Sequence, residues 1–277
     1  MTAPINPPEW DACLKTLWGA SHAPFAAAVA QPFFSPTFTE LTRRLEQLVA
    51  VRAGGLLHGP HGVGKTLLIQ HFLQSLPEKR FKTFFISHSS VTGSDLLRLL
   101  CMELGRTPRM RRGDNLHEIR LAWQQLDRIW PVLVLDEAQN LSAASLEEIR
   151  LLSCDRRDTQ APFSLLLVGD EQLLPRLQMG INAPLLARMG FSLFLPSWSP
   201  PDAQAYLQAR LADAGIHANP FDAAAAQLLL QAANGLPRLL NHLAQRALEA
   251  AAAQNSRQVT TAHIHSALEL MPWIAKL

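Results

Sequence analysis

Gly59-Pro60-His61-Gly62-Val63-Gly64-Lys65-Thr66 has the G-x-x-x-x-G-K-[ST] form, and few octapeptides narrow the choice of fold so far. Leu56 and Leu57 lead into it as the end of a strand, and Lys65-Thr66-Leu67-Leu68-Ile69-Gln70 leaves it as a helix. Strand, glycine-rich turn and helix N-terminus together make an anion cradle. Glycines let the backbone curl so that its N–H groups face a polyphosphate, and the helix end adds partial positive charge. Gly59, Pro60, His61, Gly62, Val63, Gly64, Lys65, Thr66 and Leu67 are therefore candidates for binding ATP. Lys65 would reach the β- and γ-phosphates, and the Thr66 hydroxyl would ligate Mg²⁺.

A second motif fits the same chemistry. Val132-Leu133-Val134-Leu135 follows Pro131 and reads as a strand buried on both faces, with Asp136 and Glu137 at its C-terminal end. Ligands of open α/β sheets bind outside the carboxyl ends of strands. Asp136 would hold the Mg²⁺ shell, and Glu137 would orient and deprotonate an attacking water. Alone, the pair would also suit the acidic first turn of a helix. A phosphate loop roughly 70 residues upstream favours the metal reading.

With 277 residues and 48% hydrophobic content, the chain can bury a large domain and a smaller one. A net charge of +2 and a pI near 8.6 decide nothing about nucleic acid, so local clusters must. Cys13, Cys101 and Cys154 are far apart and lack metal spacing, which suits a reducing compartment. The start of the chain lacks a basic segment followed by an apolar one, and no run of about 18 apolar residues occurs. A cytoplasmic protein without a membrane partner is expected. The alanine runs at 223–226 and 250–253 read as helix propensity.

Residues 1–35 form a Pro-, Ala- and Phe-rich N-terminal extension with Trp10, Trp18 and a short helix near residues 11–17. Its aromatics would pack on a nucleotide base, on a neighbouring subunit or on the core edge. Between residues 36 and 196, strands at 56–59, 82–87, 132–135, 164–168 and 191–195 alternate with helices. Such alternation means an α/β fold with a parallel sheet sandwiched by helices. From residue 197 to 277 the pattern is helical only, with segments near 200–214, 221–233, 236–253 and 260–271.

A phosphate-loop sheet domain followed by a small all-α lid domain resembles the AAA+ ATPases. Asn234-Gly235-Leu236-Pro237-Arg238 is similar to that family's sensor-2 segment, so Arg238 would reach the γ-phosphate. Asp136-Glu137-Ala138-Gln139-Asn140-Leu141 resembles the ExeA-like group and its transposon-encoded relatives of the TniB/TnsC type. The likeness runs from about Leu41 to Leu268. In that group the fourth strand ends in a polar amide at the sensor-1 position; here Asp170 stands there. A carboxylate beside a γ-phosphate repels it, which implies slow ATP hydrolysis. Arg188, in Leu185-Leu186-Ala187-Arg188-Met189, aligns with the arginine finger that contacts ATP in an adjacent subunit. As an isolated residue it also reads as a cation at a helix C-terminus. Lys65, Glu137, Asp170, Arg188 and Arg238 are thus the candidate catalytic set, with Thr66 and Asp136 on the metal.

Arg106, Arg109, Arg111 and Arg112 make a dense basic run with no acid before Asp114. Guanidinium groups on a loop suit a DNA phosphate backbone, although charge runs are often only solvated connectors. The resemblance implies an ATPase that assembles as a homo-oligomer, ring or helical filament, on double-stranded DNA. It would mark a target site and recruit or activate a transposase, with or without a target-selection factor, and hydrolysis would disassemble it. An ExeA-like secretion-assembly ATPase is the alternative; that type is implied to carry a transmembrane segment and a cell-wall-binding part, neither expected here. A replication initiator or loader is a further one, with no winged-helix domain evident after the lid.

Overall fold

Runs of purely apolar or alternating residues pair into a sheet because each can bury at least one face. The computed structural model describes residues 7–25, 33–87, 92–154 and 161–272. In chain order these form α1 (Pro7–Trp18), α2 (Pro36–Ala50), β1 (Gly54–His58), α3 (Lys65–Ser75), β2 (Phe81–Ile86), α4 (Gly93–Glu103) and α5 (Arg112–Gln125). Then come β3 (Trp130–Leu135), α6 (Ala143–Leu152), β4 (Ser164–Gly169), α7 (Leu173–Gln178), α8 (Ala183–Leu186) and β5 (Met189–Phe194). The chain closes with α9 (Pro200–Asp213), α10 (Ala223–Ala233), α11 (Pro237–Ala253) and α12 (Thr261–Glu269).

The strands form one parallel sheet in the order β2-β3-β4-β1-β5. Sequence and burial agree on that order. β4 (SLLLVG) is buried at every position and β3 at all but Trp130, so both belong inside the sheet. β2 (FKTFFI) carries Lys82 and is only partly buried, as an edge strand should be. Trp130 keeps its indole N–H satisfied by donating to Ser164 Oγ at 3.0 Å. All five expected strands are present, with bounds moved by one or two residues. α5 starts at Arg112 and ends before Asp127, whose left-handed φ of 50° stops it, rather than spanning residues 115–129 as periodicity suggested.

The chain divides into two compact units. The sheet unit comprises Pro36–Pro60 and Lys65–Leu195. The helical unit comprises Met1–Ser35, His61–Gly64 and Pro196–Leu277. In the helical unit Trp10 and Leu14 of α1 are buried with Tyr206, Leu207, Leu229, Leu240, Leu243 and Leu248. Phe33 meets Trp198 and Tyr206 edge-on at 5.7 and 5.6 Å. These N-terminal aromatics therefore build the helical core. The alanines do as well: Ala225, Ala233, Ala244, Ala247 and Ala251 are wholly buried, where larger side chains would overpack the helices.

α12 begins with an uncommon cap. The Thr260 backbone N–H donates to His263 Nδ1 at 3.0 Å, where a glutamate or glutamine usually sits. Nδ1 accepts, so Nε2 carries the proton and donates to Gln254 Oε1 at 3.2 Å. Burial holds His263 below the usual histidine value, with Asp222 pulling the other way. The folded state then binds fewer protons at this site than the unfolded chain does. Stability from this cap is fully present above about pH 6.5 and is lost as pH falls through the lower folded value. His263→Gln keeps an acceptor for Thr260 and removes the titration. Its thermal midpoint should fall less than that of the wild type between pH 7 and 5.5; equal slopes would remove the cap from the pH dependence.

Candidate nucleotide site

The register of the sheet gathers the site. His58 pairs with Gly169 on one side and Phe194 on the other, and Leu135 pairs with Leu167. The carboxyl ends of β1, β4 and β3 are therefore consecutive along one sheet edge, and the loop at residues 59–66 leaves from β1, between β4 and β5. A Cβ on Gly59 would lie 2.1 Å from the Leu195 carbonyl oxygen, so only glycine lets the chain leave β1 beside the end of β5. Gly62 and Gly64 have φ values of +79° and +104°, which supply the curl.

Lys65 opens α3 and is 7% exposed. Its Nζ donates to the carbonyls of Gly59 and Pro60 at 2.8 and 2.9 Å, which holds the ammonium inside its own loop. Next to it, Thr66 Oγ1 donates to Asp136 Oδ2 at 2.9 Å. Asp136 Oδ1 accepts from the Glu137 backbone N–H at 2.9 Å. Glu137 itself has φ 53° and ψ 37°, a left-handed conformation that costs a side-chain-bearing residue roughly 1–2 kcal/mol. Burial holds His58, at the end of β1, below the usual histidine value, with Glu171 opposing and Lys65 assisting.

Asp170 is 7% exposed just beyond β4, and its backbone N–H donates to Gln139 Oε1 at 3.2 Å. Its Oδ1 accepts from the Gln172 backbone N–H at 2.9 Å, so the carboxylate is partly spent on its own turn. Arg188 sits before β5, where one guanidinium nitrogen donates to the Ser153 carbonyl at 3.3 Å and another to Cys154 Sγ at 3.1 Å. It thus neutralises the C-terminal end of α6 rather than that of its own short helix. In the helical unit, the Arg238 N–H donates to the Gly62 carbonyl at 3.3 Å, and a Cβ on Gly62 would meet Arg238 Cβ at 3.2 Å. His61, Val63 and Leu67 lie on the loop or the first turn of α3, and Val63 is buried.

The basic run forms the connector from α4 to α5. Asn115, 1% exposed, clamps it: Oδ1 accepts from the Arg109 N–H at 2.7 Å and Nδ2 donates to the Arg109 carbonyl at 3.0 Å. Arg106 bonds Gln125, and Arg109 lies 3.7 Å from Glu118. Arg112 makes a two-pronged pair with Glu148 of α6 at 2.5 and 2.8 Å. Arg111 is exposed at the N-cap of α5. Arg112 is therefore an anchor of the connector, while Arg106, Arg109 and Arg111 face outward or hold surface partners. Lys82 and Arg120 are exposed on β2 and α5.

Residues 51–177 match the AAA domain family. That stretch, which holds the phosphate loop and the strand that leads to Asp136, is similar to the AAA domains of P-loop ATPases. Phosphate-loop ATPases of that kind hydrolyse ATP with Mg²⁺. The General secretion pathway protein A of Aeromonas hydrophila is 30% identical over 255 residues, covering 87% of this chain and 45% of the relative. This chain thus spans less than half of that protein's length. Among solved structures, the Aeropyrum pernix ORC2 protein in ADPNP and ADP complexes superposes with a TM-score of 0.64 at 17% identity, over 90% of this chain and 71% of that one. The Aeropyrum pernix ORC1 protein in complex with DNA gives 0.65 at 19% identity, over 87% and 66%. These two likenesses show the fold. Among the described residues, no helix is long and apolar enough to cross a membrane.

The sequence reading overlooked Gln139 and Asn115. Both are buried amides; Gln139 stands in the quoted 136–141 segment, but neither that segment nor any periodicity marks a residue whose importance lies in two hydrogen bonds. Glu148 was equally silent, although it holds Arg112. Arg112→Ala should strand a carboxylate whose side chain is 11% exposed. The arginine is half exposed, which moderates the loss to about 1–2 kcal/mol in urea unfolding. A change below about 0.3 kcal/mol would mean the pair is solvated and Arg112 is available like its neighbours.

Proposed function

We propose that this chain is an ATP-driven assembly switch that acts on duplex DNA as a regulator of transposition. One observation carries the nucleotide half of the proposal: Thr66 Oγ1 and Asp136 Oδ2, 70 residues apart in sequence, lie 2.9 Å apart. A hydroxyl and a carboxylate are hard oxygen donors. Mg²⁺ is held by one or two such groups, with phosphates and water completing its shell, so these donors fit that ion. When bound, the ion neutralises charge on the transferred phosphoryl group. Lys65 exchanges its two loop carbonyls for phosphate oxygens. Glu137 orients the attacking water and takes its proton. Asp170, at the sensor position, keeps turnover slow by repelling the γ-phosphate, and its bond to Gln172 limits that repulsion.

Arg238 belongs to the same unit as residues 61–64 of the loop and serves as the γ-phosphate sensor. Arg188 leaves the end of α6 and completes the site of an adjacent copy as its arginine finger. Hydrolysis then controls assembly, because each site needs two subunits. Arg106, Arg109 and Arg111 hold the DNA backbone, with transposase and a target-selection factor as protein partners. The Aeropyrum pernix ORC1 structure in complex with DNA supports DNA as a ligand of this fold. The identity to a General secretion pathway protein favours a second reading, an ATPase of secretion assembly that does not engage DNA.

Lys65→Ala should lose binding of a fluorescent ATP analogue and any ATP-dependent assembly seen by sedimentation; assembly that persists would refute the site. Replacing Arg109 and Arg111 together should lower the slope of log K against log salt by about 1.8, at about 0.9 for each phosphate no longer neutralised. An unchanged slope removes the connector from the DNA interface, and absence of DNA binding by the wild type favours the secretion reading.

A further inference from the structure

Gln139 is 8% exposed and uses both ends of its amide within the site. Nε2 donates to Glu137 Oε2 at 2.7 Å, and Oε1 accepts from the Asp170 backbone N–H at 3.2 Å. The partners fix the amide's orientation: a backbone N–H can only donate, and a carboxylate can only accept. We infer that Gln139 is the positioning residue of the Glu137 carboxylate and couples it to the end of β4, where Asp170 stands. The inference rests on Glu137 being the water-activating group.

Two features show that the surroundings are shaped for this amide. A Cβ on Gly169, the last residue of β4, would lie 2.6 Å from Gln139 Oε1. The φ of Gly169 is ordinary, so the glycine is needed for space: it leaves the seat in which the amide oxygen rests. The backbone of the turn is fixed as well. The Arg176 guanidinium, from α7, donates to the carbonyls of Gln139 and Leu141. With its main chain held by Arg176 and its oxygen held by Asp170, the amide has one remaining donor pair, and that pair faces Glu137.

Glu137 needs such a partner. Its left-handed backbone persists only where neighbours over-determine it. The Asp136 carboxylate holds its N–H and Gln139 holds its side chain. Glutamine has the donor, the acceptor and the length to meet both Glu137 and Asp170 N from position 139, whereas asparagine is one methylene shorter. Movement of the β4 end against the γ-phosphate would therefore reach the carboxylate through one rigid amide.

Turnover and ATP affinity, measured between pH 5.5 and 8.5 with Mg²⁺, test this on the full chain. Gln139→Ala should lower kcat by about ten- to a hundredfold, with the Kd for ATP within about threefold of the wild type. Gly169→Ala crowds the amide without altering Gln139, although its Cβ also meets the buried Leu173 side chain at 2.9 Å; with a thermal midpoint held near that of the wild type it should show the same split. Gln139→Glu can donate to Glu137 only while its own carboxyl is protonated. Its kcat relative to the wild type should therefore be highest at pH 5.5 and decline as pH rises. A Gln139→Ala kcat within twofold of the wild type, or a Gln139→Glu ratio flat across pH, would overturn the positioning role. Glu137→Gln separates the two levels: retained turnover there defeats the role of Glu137 itself, whereas its loss alongside an unaffected Gln139→Ala defeats only Gln139.

Discussion

The hydrogen bond from Thr66 to Asp136 is the contact on which the site depends. It joins the first turn of α3 to the end of β3, two strands away across the sheet. The rest of the polar chain follows from it. Asp136 gives one oxygen to Thr66 and the other to the N–H of Glu137, which sets the left-handed turn. Glu137 then meets Gln139, and Gln139 meets the N–H of Asp170. The loop, the acidic end of β3 and the end of β4 thus share one line of hydrogen bonds. In a site of low dielectric such a line is worth more than its separate bonds, and a break at any link leaves a buried polar group unsatisfied.

Apolar packing makes that line rigid. β3 and β4 are buried along their lengths, so the positions of Asp136 and Asp170 are set by a core that cannot shift by small amounts. The phosphate loop is less self-contained. Its outer residues, Gly59, Pro60 and Lys65 onward, belong to the sheet unit, while residues 61–64 associate with the helical unit through Arg238.

Much of the fold was legible because its signals are local. Four apolar residues before Asp136 announce a buried strand, and the octapeptide at residues 59–66 announces the turn after β1. The parallel alternation follows from both. α7 and α8 were not legible, since helices of 6 and 4 residues are too short for periodicity to register. The role of the N-terminal segment was ambiguous, because an aromatic residue buries equally well against a base, a subunit or its own core. Trp10 and Phe33 chose the last through contacts more than 160 residues away in sequence. Gly169 reads as an ordinary strand end, and only the folded chain brings Gln139 and Leu173 close enough to leave no room for a Cβ there.

The most direct test of a shared Thr66–Asp136 metal site is a double-mutant cycle on Mg²⁺-dependent ATP-analogue binding. Thr66→Ala and Asp136→Asn should each abolish the gain in affinity that Mg²⁺ confers, and the double variant should lose no more than either single one. Additive losses, or a Mg²⁺ dependence that survives either change, would contradict a site built by these two residues together.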